Sequence, residues 1–198
     1  MWYNFVLFAH VAGAIGLFSA NSLAALGTIR MRQGQTIAQI RDGVNLTAGA
    51  SRGIPISSLL ILLSAIFLVL QSWSFATPWV LAALITMVLL AVGNNALNGR
   101  RMGAIRRAAN TAPDGPISSQ LQALVRHPMI WFGVTVSNAL LIGVVFLMTV
   151  KPDLTGTLIT LGVALALGIV LGAASSSTRP SQQSGATTLI APEQAARS

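Results

Sequence analysis

The chain has 198 residues, 54% of them hydrophobic and only 8% charged, with a mean hydropathy of +0.72. Soluble domains carry about 25% charged residues, so this chain cannot dress a water-facing surface and must present much of itself to lipid. Its +8 net charge fits either nucleic acid or positive loops at a membrane, and the absence of cysteine excludes a disulfide framework, a thiol nucleophile and a cysteine metal site.

The first apolar segment covers residues 3–29 and contains FVLFAHVAGAIG. No Lys or Arg precedes it and it is too long for a signal-peptide core, so it reads as a retained span. His10 and Asn21 stand about three helical turns apart and point the same way, with Gly13, Ala14, Leu17 and Ala24 near that direction. Ala12, Gly16, Ala20 and Ala24 form a row of small residues beside it. Leu7, Phe8, Val11, Ile15, Phe18 and Leu26 gather on another flank. Small rows allow close helix approach in lipid, so the spacing predicts that His10 faces other helices.

A basic loop follows, with Arg30, Arg32, Arg41, Asp42 and Arg52. Within it Ile37, Ile40 and Val44 recur at helical spacing and predict a short interfacial helix. The second span covers residues 54–73 and is joined by the uncharged SFATP to the third, residues 78–97. The third helix is expected to run on through GRRMGAIRRAAN until TAPDGP breaks it, and SSQLQALVRH to form a short helix ahead of Pro128. Residues 129–150 and 154–174 are the fourth and fifth spans, and residues 175–198, rich in Ser, Ala, Gln and Pro, read as a disordered cytoplasmic tail. The expected fold is therefore all-α, a polytopic transmembrane bundle of five spans.

Nine arginines fall in the first and third loops, which lie on one side of such a bundle. The positive-inside rule makes that side cytoplasmic and predicts a multi-pass protein of a bacterial inner membrane, N-terminus outside and C-terminus inside. Trp2, Tyr3, Trp73 and Trp79 then fall at the outer interface and Trp131 at the inner one, as an aromatic belt requires. The Asn45-Leu46-Thr47 glycosylation pattern lies in a predicted cytoplasmic loop and reads as chance.

Little in the spans carries chemistry. His127 sits at the opposite end of the membrane from His10, so the two histidines cannot ligate one haem. The soft or polar groups at His10's depth are Ser64, Gln71, Thr86 and Met87. A hydrogen bond from His10 to Ser64 or Gln71 is the favoured reading, ahead of a protonatable relay or a His10–Met87 haem pair. Asn21, Asn94, Asn95 and Asn138 form a polar intramembrane group in the inner half, read first as helix-to-helix hydrogen bonding and second as a cytoplasm-facing cavity. No Asp, Glu, Lys or Arg lies within a span, which argues against a pump built on buried carboxylates. Gly168 with Gly172, and Gly162 with Ala166, mark a packing or dimer face. Arg100, Arg101, Arg106 and Arg107 suit anionic lipid head groups; nucleic acid is not expected, because the arginines lack interleaved aromatics. No phosphate loop, nucleophile elbow or metalloprotease motif occurs.

LFAHVAGAIGLF, TPWVLAALITMVL and VVFLMTVKPDL resemble a bacterial integral-membrane family catalogued as domain of unknown function 2269, over roughly residues 3–170. That resemblance implies a membrane fold and directs attention to His10 and the Lys151–Pro152 pair, but it implies no activity. The early histidine also resembles small haem-associated membrane proteins such as the four-helix protoporphyrinogen oxidases, although the second histidine and internal basic residues of that pattern are missing. The expectation is a structural or accessory membrane subunit, able to form homo-oligomers or join a membrane complex, with no catalytic site and no resident cofactor. The alternatives are a small transporter or channel with an Asn-lined inner cavity and a haem-associated redox protein using His10.

Overall fold

The computed structural model describes residues 1–177. Most of the predicted tail, and the side chains of Asn94 and Asn95, lie outside the described residues. The elements are α1 (Trp2–Gln33), α2 (Ile37–Ser72), α3 (Pro78–Thr111), α4 (Ser119–Val125), α5 (Pro128–Val150) and α6 (Leu154–Ser177). Five helices are long and apolar enough to cross a membrane, and the chain is an all-α multi-pass membrane protein.

The helix starts follow local chemistry. Thr36 and Gln39 close a reciprocal capping box at the head of α2, with Thr36 Oγ1 accepting from Gln39 N–H at 3.4 Å and Gln39 Oε1 from Thr36 N–H at 3.3 Å. Ser118 Oγ accepts from Leu121 N–H at the start of α4. Pro78 and Pro128 occupy the first turns of α3 and α5, where a missing N–H costs nothing. Lys151 ends α5 in the left-handed region at φ 55°. Pro152 follows, and Asp153 Oδ1 accepts from Gly156 N–H at 2.8 Å to open α6.

The extension of α3 beyond its span and the short helix before Pro128 are both present. The first loop is different. No separate interfacial helix forms over Ile37, Ile40 and Val44; α2 runs unbroken from Ile37 to Ser72 with Pro55 inside it. Hydropathy marks where lipid begins, not where a helix begins. The polar stretch NLTAGASR stays helical because α1 packs along it. Pro55 lacks the N–H that would reach the Ser51 carbonyl, and neighbouring helices make such a loss tolerable in membranes.

α1 pairs tightly with α2, and α5 with α6, while α3 packs chiefly on α5 and only lightly on α2. The α1–α2 crossing is set by glycine. A Cβ on Gly27 would lie 2.7 Å from the Gly43 carbonyl oxygen, and one on Gly43 would lie 2.8 Å from that of Gly27. In the α5–α6 pair, a Cβ on Gly168 would meet Val136 Cα at 2.7 Å and one on Gly172 would meet Phe132 and Thr135 at 2.8 Å. The Gly168/Gly172 row is thus an internal packing face. Gly162 and Ala166 lie on the exposed side of α6.

The two lobes are joined at their ends. At one end Val69, Trp79, Val80, Ala83, Val144 and Leu147 form a cluster across α2, α3 and α5. Above it Trp73 meets Trp79 edge to face at 5.1 Å, and the Lys151 ammonium lies 4.7 Å from the centre of the Trp73 ring. At the other end, where the arginines collect, Met31, Ile37, Ile40, Val44, Ile105, Ala109, Leu121, Val125 and Ile130 form a second core drawn from α1 to α5. The α1–α2 and α3–α4 connections there pair as an isolated antiparallel bridge between Thr36 and Pro116. Ile37 N–H donates to the Gly115 carbonyl at 3.0 Å, and Ile117 N–H to that of Gln35 at 3.1 Å. Gly115 makes this turn at φ +149°, which a side chain would strain.

Candidate functional site

His10 faces α2, as its helical phase predicts. Gly13 and Gly16 let α1 close on Ser57 and Ile61; a Cβ on Gly16 would lie 2.7 Å from Ser57 Oγ. Further toward the tryptophan end, His10 Nδ1 lies 3.1 Å from Ser64 Oγ and 3.3 Å from the Ile61 carbonyl oxygen. Ser64 is buried, and its hydroxyl already donates back along α2, to the Leu60 carbonyl at 2.6 Å and to that of Ile61 at 3.0 Å. A hydroxyl carries one proton. The Ile61 carbonyl oxygen can only accept, so the approach of Nδ1 to it calls for the tautomer with the ring proton on Nδ1, in which Ser64 Oγ accepts as well. Gln71, the other anticipated partner, is exposed.

The imidazole is thus a side chain pinned against α2. Interhelical hydrogen bonds in membranes average about 0.6 kcal/mol and reach about 1.7 kcal/mol. His10→Ala and Ser64→Ala are each expected to cost this much, lowering the melting temperature in mild detergent by roughly 2–5 °C. The double variant should cost little more than the larger single change; additive losses would show that the two side chains do not act as a pair.

The structure does not bring Met87 to His10. Met87 packs on the cluster of Val69, Trp79 and Leu147, and α1 shares no extended interface with α3 among the described residues. Thr86 turns its hydroxyl to the Ala82 carbonyl at 2.7 Å. The asparagines behave likewise. Asn21 donates to the Leu17 carbonyl at 3.0 Å and Asn138 to that of Val134 at 2.9 Å, each one turn back on its own helix. Neither makes the cross-helix bond expected of it here; the side chains of Asn94 and Asn95 lie outside the described residues. His127 caps α5, its Nδ1 accepting from Met129 N–H at 3.3 Å. Arg100, Arg106 and Arg107 project from the extension of α3, and Arg101 is half-buried.

Two basic residues that loop counting treats only as topology markers have structural work. Arg41 reaches from α2 to the end of α3. Its Nε donates to the Ala109 carbonyl at 2.9 Å, its Nη2 to that of Ala112 at 2.6 Å, and its Nη1 to Asp114 Oδ1. These are carbonyls that a helix end leaves unpaired, and the guanidinium also meets the negative end of the α3 dipole. The signal in the sequence was slight: Arg41 follows Ile37 by one turn, and Thr36-Ile37-Ala38-Gln39 spells a capping box. The second is Arg32, whose Cζ lies 5.4 Å from the centre of the Trp131 ring. No protein-family model matches this chain, and no curated protein and no solved structure is significantly similar to it.

Proposed function

We propose that the chain is a structural or accessory subunit of a bacterial inner membrane, a scaffold that carries a rigid basic platform on the cytoplasmic face. The observation that supports this reading is the second core. Five helices converge on it, a two-bond backbone bridge ties its loops, and Arg41 fastens α2 to the end of α3. Such packing outside the apolar segments is more than loops need merely to connect spans, and it holds Arg100, Arg106 and Arg107 in a fixed array suited to anionic lipid or an acidic partner. Gentle solubilisation followed by native mass spectrometry tests the proposal: a partner protein or homo-oligomer is expected, and a strictly monomeric, partner-free chain would remove it.

The orientation rests on charge. The basic end belongs in the cytoplasm and the tryptophan end outside. Single cysteines at exposed Ala76 and Gln120 should label from opposite sides of intact inner-membrane vesicles. Ala76→Cys is expected to react only from the periplasmic side; labelling of both from one side would refute the topology.

A further inference from the structure

Arg32 differs from the other arginines of the basic end. It lies half-buried in the last turn of α1, against the face of Trp131 in the first turn of α5. Arg32 Nη1 and Trp131 Nε1 are both buried, and neither has a hydrogen-bond partner among the described residues. Buried donors are nearly always paired, and leaving a charged one unpaired is costly. Burial first, and the positive charge of Arg126 just ahead of α5 second, disfavour the charged form of the Arg32 guanidinium.

Among the described residues no carboxylate serves this place. Of its four acidic residues, Asp114 pairs with Arg41, Asp42 lies with Arg30 on a groove between α1 and α2, and Asp153 opens α6 at the opposite end. Glu193 lies outside the described residues. Among the described residues no side chain serves these two donors, and an acceptor supplied by a ligand would satisfy both. Its chemistry is constrained by two guanidinium groups, an indole N–H and a position just past the apolar segment of α1, the depth at which lipid phosphates lie.

We propose that Arg32, Arg126 and Trp131 form a binding site for a phosphate ester. Phosphate oxygens accept from Arg32 Nη1 and Trp131 Nε1, and the anion offsets the repulsion between the two arginines. The same chemistry is offered by the head group of an anionic phospholipid and by a soluble phosphate ester. The site is separate from the exposed row of Arg100, Arg106 and Arg107, and it does not rest on the scaffold reading.

The test uses the full chain in a neutral, phosphate-free detergent. Dioctanoyl phosphatidylglycerol and inorganic phosphate are titrated separately, dioctanoylglycerol serves as the phosphate-free control, and the rise in melting temperature reports binding. Half-saturation by the favoured probe should weaken about tenfold or more in Arg32→Gln, the loss of a charge-assisted hydrogen bond. It should weaken by a smaller factor in Trp131→Phe, which keeps the ring and removes only the donor. Arg107→Gln should stay within about twofold, a rim charge in high dielectric. Stabilisation by the lipid alone assigns the site to a head group; Arg32-dependent stabilisation by inorganic phosphate as well assigns it to a soluble ester. The proposal is overturned if neither phosphate probe stabilises the wild type, if dioctanoylglycerol does so equally, or if Arg107→Gln weakens binding as much as Arg32→Gln. If Arg32→Gln does not fold, Trp131→Phe decides: unchanged half-saturation there overturns the site.

Discussion

Gly27→Val is expected to cost about 3 kcal/mol or more and to lower the melting temperature in mild detergent by roughly 10 °C. The reason is that the atom in the way belongs to the backbone. A Cβ at Gly27 would sit 2.7 Å from the Gly43 carbonyl oxygen, with Thr47 N at 3.1 Å behind it. No rotamer change relieves that clash; α1 and α2 must separate along the crossing that holds their pair. Gly43→Ala should also destabilise, since its Cβ would meet the Gly27 carbonyl oxygen at 2.8 Å, Met31 N at 3.0 Å and Cγ of the buried Met31 side chain at 2.5 Å; alanine adds a single carbon, so the loss should be smaller than for valine at Gly27. Gly49 provides the contrast on the same helix. Nothing lies within 4 Å of its Cβ direction, so Gly49→Ala should be neutral or stabilise by up to about 1 kcal/mol through helix propensity. Equal losses at Gly43 and Gly49 would show that the two helices do not cross where described.

The second large effect belongs to Arg41. Arg41→Ala removes two charge-assisted bonds to the end of α3 and strands the Ala109 and Ala112 carbonyls in a partly buried place. A loss of about 2–3 kcal/mol is expected, or roughly 5–10 °C. Asp114→Asn should cost less than about 1 kcal/mol, because that carboxylate is 80% exposed and its ion pair is screened by water. Arg41→Lys discriminates between charge and shape. One ammonium cannot reach both carbonyls and Asp114 in the directions a guanidinium fork does. The lysine variant should therefore fall nearer to alanine than to wild type. Thermal melts of the three variants decide the matter, and a lysine variant as stable as wild type would reduce Arg41 to a simple point charge.

Much of this architecture was legible in the sequence where lipid does the selecting. Long apolar runs must become helices, so the spans follow from composition; helical phase sufficed to aim His10 at a neighbouring helix, and shared depth to nominate Ser64 or Gln71 as its partner. What escaped notice depends on tertiary contact. Residues 45–52 carry no apolar period and interleave Leu46, Ala48 and Ala50 with the poorer helix formers Asn45, Thr47, Gly49 and Ser51, and the segment packs along a neighbour that no window of sequence contains. Likewise Asn21 and Asn138 looked like partners because they share a polar character, yet each has a satisfying carbonyl one turn away on its own helix. A residue that can satisfy itself locally gives no information about its distant neighbours. The arginines posed the opposite difficulty. Counted as charges they report orientation alone, and only the geometry separates Arg41, which binds backbone, from Arg32, which lies over the Trp131 ring and keeps one donor without a partner among the described residues.

The placement of the two clusters, one near each end of the bundle, has a thermodynamic consequence. Ile15, Leu59, Leu63, Ile66, Leu89 and Val92 are all exposed between those ends, on helices that reach water only beyond them. In a membrane these side chains touch acyl chains in the folded state, and they would still touch them if the helices came apart. Unfolding of this kind hydrates little apolar surface. Its heat-capacity increment falls well below the roughly 12–15 cal/mol/K per residue of water-soluble domains. The stability of the chain then varies with temperature along a nearly straight line instead of a dome, without the loss on cooling that a core built by the hydrophobic effect suffers.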